Sequence, residues 1–538
     1  MTPASRSPLR PRWPAWLVLV LLALGGALWW WAIGRPVVLP EAPSARIACV
    51  SYAPFRRPGE SPLDPRAFVS PARIDVDLRA LSQRFDCVRT YSQGQGLEAV
   101  PAIAARYGMK VLLGIWLGRD PVANAREVQL GIRSAQAHPA VLRGAIVGNE
   151  VLLRGELSPE QLAAYVREVR AAVRVPVSYA DVWEYWLRYP QMARSVDYLT
   201  IHILPYWEDR PVPPERAVQH VADVYAQVQR AFPGKRVMIG ETGWPSAGRP
   251  RQGASASVVN EARYLREFLD YAGRVRMPYN VIEAFDQPWK RALEGTVGGY
   301  WGIFDAHAKP KFAMQGPVVE EPRWWLGWLA GAAGLGMFLL AGAWRRRWHG
   351  LAGWCALALL GFASGSALAW QGRQMAYACS SALEWSVSIA ACACALGTAI
   401  MLARAIAAAL AGAVPATGQR SWRGWQACWL FALAWFDLVL IFDGRYRDFP
   451  LGLFALPCLG YALAGWLRAR GVGLPLLEER VLAALLPWLG AAVVVVEHGL
   501  NVTAWLWLGL NLALAAPVWW RWQEARGLPA DQPQAAHQ

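Results

Sequence analysis

Apolar positions follow two different rhythms along the 538-residue chain. Between residues 36 and 322, short β-branched runs recur at 46–52 (RIACVSY), 86–91, 110–115 (KVLLGI), 143–148 (RGAIVG), 176–180, 196–201 (VDYLTI), 236–240 (RVMIG) and 279–285 (YNVIEAF). Helix-length polar or amphipathic segments separate them. Alternating strands and helices predict a parallel sheet. Eight such units within 36–322 predict closure into an α/β fold, a (β/α)8 TIM barrel, which takes about 250 residues. One helix is signalled locally: Ser158 and Gln161 form a capping-box pattern, Pro159 takes the first helical position, and Leu162, Val166, Val169 and Val173 fall on one face.

The second rhythm is continuous. Residues 15–33 are apolar and uncharged, and seven further stretches lie near 324–344, 351–370, 386–411, 425–442, 450–467, 481–497 and 503–520. A span of about 20 residues crosses a hydrocarbon core of about 30 Å. Eight membrane helices are therefore expected, forming an α-helical transmembrane bundle beside the barrel. Segment 15–33 ends in Trp29–Trp31 and exceeds a secretory core in length, which favours an uncleaved signal anchor over a cleaved signal peptide.

Charge sets the expected orientation. Arg6, Arg10, Arg12, Arg345–Arg347, Arg404, Arg420, Arg423, Arg468, Arg470, Arg480, Arg521 and Arg526 fall on alternate segments, whereas the intervening short loops hold only Arg373, Arg445 and Arg447. Basic residues are retained on the cytoplasmic side. The expected order is a cytoplasmic tail (1–14), the anchor (15–33), an extracytoplasmic barrel (36–322), seven helices (324–520) and a second cytoplasmic tail (521–538). The expected location is a cell (inner) membrane, with the barrel on its periplasmic or outer face.

Composition agrees with this division. The chain is 55% hydrophobic and 17% charged, against about 25% charged in soluble domains, which excludes a simple soluble enzyme. The net charge of +15 does not indicate a nucleic-acid partner, because 49 of the 54 basic residues are Arg and none form a stripe with interleaved aromatics. Six of the eight Cys fall in or beside the membrane helices. Cys49 and Cys87 lie in barrel strands, where a disulfide and simple packing are equally open. No His or Cys cluster has zinc-like spacing, so neither a metal nor a cofactor is expected.

Barrel active sites lie at the carboxyl ends of the strands. Two of those ends carry glutamates, Glu150 after Gly148-Asn149 and Glu241 after Gly240. A carboxylate pair cleaves glycosidic bonds, one group donating a proton to the leaving oxygen and the other attacking the anomeric carbon. Tyr52, Tyr91, Trp116, Tyr179, Tyr206, Trp207, Trp244, Phe285 and Trp289 gather at the same rim. Aromatic faces stack on the C–H faces of sugars, so a carbohydrate groove is expected.

AIVGNEV (145–151) and IGETGWPSAG (239–248) resemble the two catalytic signatures of glycoside hydrolase family 17, the β-1,3-glucanases. IEAFDQPWK (282–290) and YWGIFDAHAKPKF (300–312) resemble that family's eighth-strand and closing segments. The resemblance implies a retaining mechanism with Glu150 as acid/base and Glu241 as nucleophile, and it places Asn149 on the sugar 2-hydroxyl. Tyr91, Trp116, Tyr179, His202, Tyr206, Trp207, Trp244, Glu283, Phe285, Trp289 and Lys290 complete the expected substrate contacts. Two departures stand in the groove: His202-Ile203-Leu204-Pro205-Tyr206-Trp207-Glu208 replaces the Asn and Pro-Tyr-Phe-like turn of plant members, and Gln287 replaces a residue commonly acidic in fungal ones.

Burial and the Glu241 charge are expected to raise the Glu150 carboxyl so that it starts protonated. Water as acceptor makes a hydrolase, a glucan hydroxyl a transglycosylase, and the sequence leaves both open. Expected partners are β-glucan, membrane lipid and a separate glucan synthase. The alternative is a non-catalytic glucan-binding or export subunit whose helices do the work. Within those helices Asp437 is an ionisable group at membrane depth, Glu497 and His498 are expected to face water, and Gly327/Gly331 and Gly361/Gly365 are spaced for close helix packing.

Overall fold

The computed structural model describes residues 12–343, 350–412, 419–467 and 474–526. They form two compact units, residues 36–319 and the segments before and after them. The first of these units opens with β1 (Pro36–Val37). Then β2 (Val50–Ser51), β3 (Cys87–Arg89), β4 (Lys110–Ile115), β5 (Leu142–Asn149), β6 (Val177–Val182), β7 (Leu199–His202) and β8 (Val237–Glu241) form a single parallel sheet in chain order. Finally β9 (Val318–Val319) returns to pair antiparallel with β1.

The eighth expected strand is reduced to bridges. Tyr279 pairs with Ile239 of β8 and Val281 with Val50 of β2. Asn280 N donates to Ile239 O at 2.9 Å, and Ser51 N donates to Val281 O at 2.9 Å. This segment thus joins the last strand to the first, and the curled sheet is consistent with a (β/α)8 fold.

Local chemistry starts the covering helices. Pro71–Leu81, Pro121–Ala137 and Pro159–Ala172 each begin with Pro after a capping Ser or Asp whose side chain accepts a first-turn N–H. The missing proline N–H is not needed at that position. The Ser158–Gln161 box is reciprocal, and Leu162, Val166 and Val169 are buried. Val173 differs from expectation: it is extended and past the helix end, because the chain there turns toward β6.

Strand residues alternate in direction, so Cys87, Arg89 and Tyr91 share one row, as do Cys49 and Ser51. Cys49 and Cys87 form a disulfide, packed with Leu112, Ile146 and Ala180. Two residues further along, the same rows turn polar and build the site.

The second unit is helical. Seven helices are long and apolar enough to cross a membrane: Trp13–Ile33, Trp325–Ala343, Gly350–Ala378, Ala382–Leu410, Gly424–Phe442 (within Gln419–Phe442), Leu477–Val496 and Val502–Glu524 (within Val502–Arg526). The eighth expected span is the shorter helix Leu451–Leu467, 17 residues and about 26 Å by helical rise. Large apolar side chains such as Leu340, Leu351 and Trp488 are exposed on these helices, a surface that water does not tolerate over a large area. Glycines let backbones touch: a Cβ at Gly365 would lie 2.0 Å from Ala330 O, and one at Gly334 2.3 Å from Gly361 O. His498 is exposed, but Glu497 is buried and accepts from Asn501 Nδ2 at 3.1 Å. The basic clusters at Arg6/Arg10, Arg345–Arg347 and Arg468/Arg470 lie outside the described residues.

Candidate active site

Glu150 follows β5 at a turn where Gly148 and Glu150 both have positive φ, 84° and 53°. That conformation suits Gly, and at residue 148 a Cβ would also lie 2.9 Å from Val151. Glu150 N donates to Ala180 O at 2.8 Å, which anchors the turn on β6. Glu241 ends β8 after Gly240, where a Cβ would come within 2.4 Å of Thr200 Cγ2 and 3.0 Å of His202. One oxygen from each carboxylate lies within 4.8 Å of the other and of His202.

His202, at the end of β7, sits between them. Its Nδ1 is 2.8 Å from Glu150 Oε1, and its Nε2 is 3.7 Å from Glu241 Oε1. Arg89, buried at the end of β3, binds the whole cluster. Its Nη1 donates to Gly240 O at 2.8 Å and to Glu241 Oε1 at 3.2 Å, and its Nη2 donates to Asn149 Oδ1 at 2.6 Å. Nη1 also faces His202 Nε2 at 3.3 Å. An ionised carboxylate only accepts, so His202 Nδ1 is the donor to Glu150. Tyr91 Oη is 2.8 Å from both Glu241 Oε1 and Ser51 Oγ, and its single proton goes to the carboxylate.

Electrostatics corrects one expectation. Burial raises the Glu150 carboxyl, but the hydrogen bond from His202 and the positive charge around it, including Arg154 and Arg89, outweigh burial and hold it below the ordinary carboxylate value. Other acids around the cluster move the opposite way. Burial pushes Glu283 up to about 7 against the pull of Lys290, whose Nζ is 2.8 Å from Glu283 Oε1. Glu294 is raised by burial and then by the charges of Glu150 and Glu241. Asp181 is pushed up to about 6 by burial, with the Glu150 charge adding to it.

The expected groove aromatics separate into two groups. Trp116 is exposed, with Arg154 over its ring at 4.4 Å, while Tyr91, Trp207 and Trp289 are half-buried. Tyr179, Tyr206, Trp244 and Phe285 are fully buried and offer no face to a ligand. The Tyr179 hydroxyl donates to Asp181 and accepts from Leu152 N at 3.0 Å, supporting the turn after Glu150. The Tyr206 hydroxyl donates to Arg249 O and its ring packs on Trp244 and Trp301, while Phe285 packs on Tyr52 and Phe304. Position at a strand end was the signal for these residues, and it does not say which way a ring points. Gln287 is likewise internal, donating to Ala53 O at 2.5 Å.

Sequence reasoning missed Arg89, Asp181 and Glu294. For Arg89 the available signal was a charged residue in the middle of a strand run, directly after Cys87 and Val88. Glu150, His202 and Glu241 are also spaced as a cation site would be, but the Arg89 guanidinium already balances Glu241 there.

A carboxylate pair at the carboxyl ends of two strands of a curled parallel sheet, bridged by His and Arg, is the constellation of a glycoside hydrolase or glycosyl-transferring relative. Residues 49–302 match the family model of the BtgE/BtgC glycoside hydrolase domain. A glucan 1,3-β-glucosidase of Arthroderma benhamiae is 27% identical over 261 residues, covering 45% of this chain and 83% of that protein. One of Schizosaccharomyces pombe is 28% identical over 256 residues, covering 44% of this chain and 79% of that protein. Among solved structures, an active-site mutant of Rhizomucor miehei β-1,3-glucanosyltransferase in complex with laminaritriose is 27% identical, covers 51% of this chain and 98% of that one, and has a TM-score of 0.44.

Proposed function

We propose that the protein is a membrane-tethered, retaining β-1,3-glucan hydrolase or glucanosyltransferase acting outside the cytoplasmic membrane. The observation that carries the mechanism is the spacing of Glu150 and Glu241, oxygen to oxygen within 4.8 Å. Retaining enzymes hold their carboxyls about 5–5.5 Å apart, whereas inverting ones leave about 6.5–9.5 Å for a water. Glu241, paired with Arg89 and accepting a hydrogen bond from Tyr91, attacks the anomeric carbon as the bond to the leaving oxygen breaks. Glu150 gives that oxygen its proton. In the second step Glu150 takes a proton from water or from a glucan hydroxyl, whose oxygen displaces Glu241 and restores the carboxylate.

Because His202 and the cations hold Glu150 down, its proton is most available at acid pH, while the base form needed for the second step is always at hand. Trp116, Trp207 and Trp289 are the aromatic faces left to stack on sugar rings. The two matched fungal enzymes are named for 1,3-β-glucan, which supports the same linkage here. The apolar helices, the asymmetry of basic residues and the disulfide together support a barrel on the oxidising side of the membrane.

The test uses the full-length protein in detergent with β-1,3-gluco-oligosaccharides. Shorter products mean hydrolysis and longer ones transfer, and both are expected to disappear in Glu150→Gln and Glu241→Gln. Activity unchanged in both variants would refute the assignment and favour a binding or export subunit.

A further inference from the structure

Asp437 is a carboxyl side chain that the glucan chemistry leaves unused, and it lies on the helix Gln419–Phe442. It is fully buried, as are Trp507 and Asn511 on the helix Val502–Arg526. Its Oδ1 accepts from Trp507 Nε1 at 2.7 Å and from Asn511 Nδ2 at 3.3 Å. Its Oδ2 is buried without a hydrogen-bond partner, and so is Asn511 Oδ1. The Asn511 amide nitrogen is already committed, to Asp437 and to Trp507 O at 3.0 Å. The cluster therefore presents two buried acceptors and no donor for either.

No cation neutralises the carboxyl among the described residues. Cys458, on the helix Leu451–Leu467, is the titratable group within electrostatic reach of it, and Tyr461 on that helix donates to Trp422 O. Arg521 instead pairs with Glu479 and Gln426, and Gln426 is eleven residues before Asp437 on their common helix, about 16 Å by helical rise. Asp443, past the helix end, pairs with Arg447 at 2.6 Å, and Glu497 accepts from Asn501. Phe449 and Phe454 pack on the Trp507 ring and close the site with apolar surface.

We propose that Asp437 is a proton-binding site, taking a proton from water onto Oδ2 so that the membrane helices act as a proton-binding unit and not only as a tether. The step converts carboxylate and proton to the neutral acid and changes no other bond. The new O–H supplies a donor in a cluster that lacks one, and it removes an unpaired charge from an apolar interior. This inference rests on reading Gln419–Phe442 as a membrane span, and it is independent of the glucan chemistry.

The full-length chain is reconstituted in phospholipid vesicles, and infrared spectra of wild type and Asp437→Asn are subtracted at about pH 7.5, where ordinary carboxyls are ionised. A carboxylic-acid C=O band that shifts down in D2O and is missing from Asp437→Asn is expected, with glucan turnover unchanged. Carboxylate bands in its place overturn the proposal. So does an acid band seen only without sodium and potassium, since a metal cation would then be the ligand. Should Asp437→Asn fail to assemble, Asp437→Glu must move the band, and an unmoved band overturns the assignment. Alkaline extraction of the same vesicles tests the membrane reading by itself, because release of the chain would remove the premise and not the titration.

Discussion

His202→Ala removes the donor that keeps Glu150 ionised. Nδ1 lies 2.8 Å from Glu150 Oε1 on a fully buried ring, so no water readily replaces it. A hydrogen bond to a charged group contributes about 1.5–3 kcal/mol, and a pKa unit is worth about 1.4 kcal/mol. Losing it should raise the Glu150 carboxyl by about 1–2 units. Burial, the largest influence on that group, pushes the same way once the opposition is gone. The assay is kcat/KM for a β-1,3-gluco-oligosaccharide as a function of pH, which reports the free enzyme. Wild type should lose activity as pH rises through the low Glu150 value. In His202→Ala the alkaline limb should move up by about 1–2 pH units, with a lower maximum because the carboxyl is less well held. His202→Gln, which can still donate, should shift less. An alkaline limb that stays put or moves to lower pH would refute the control of Glu150 by His202.

Arg89→Met should cost about 3–5 kcal/mol in denaturant unfolding, because Glu241 is left buried without its cation; a loss below about 1 kcal/mol would refute the dependence of the buried carboxyl on Arg89. Replacing both Cys49 and Cys87 by Ala opens a loop of 38 residues and should lower stability by about 4 kcal/mol on the chain-entropy estimate, with reductant giving the same fall in Tm. Around Lys311, burial pushes Glu261 up to about 8 and Asp286 up to about 6. Their folded values exceed the unfolded ones, so the folded state binds the extra protons and stability is lost as pH rises through about 6 and then about 8. Thermal melts across that window should show the decline in wild type and a shallower one in Glu261→Gln.

What the sequence revealed was mostly local. Proline-led helix starts follow from a cap residue and its neighbour, and the two glutamates follow from strand ends beside glycine turns. Arg89 could not be placed that way, because its partners Asn149 and Glu241 are 60 and 152 residues distant in sequence. The direction of the Glu150 shift was misjudged for the same reason: burial is legible from neighbouring aromatics, but a hydrogen bond from a residue 52 positions away is not. Tyr179, Tyr206, Trp244 and Phe285 satisfied the strand-end pattern and are nevertheless buried, since facing a groove or a helix is decided by packing on several elements at once. The eighth strand is expected at 279–285 and is present as bridges to Ile239 and Val50.

The β1–β9 pair brings the first and last residues of the barrel unit side by side, strand to strand, about 5 Å apart. A segment whose entrance and exit coincide is an insertion cassette. It can be cut out and replaced by a tight turn without asking the flanking helices to span a gap, and its ends can be spliced to make a circular permutant. Such a chain needs no second scaffold to change what it displays, since exchanging one cassette for another leaves the helical frame with the same short gap to close.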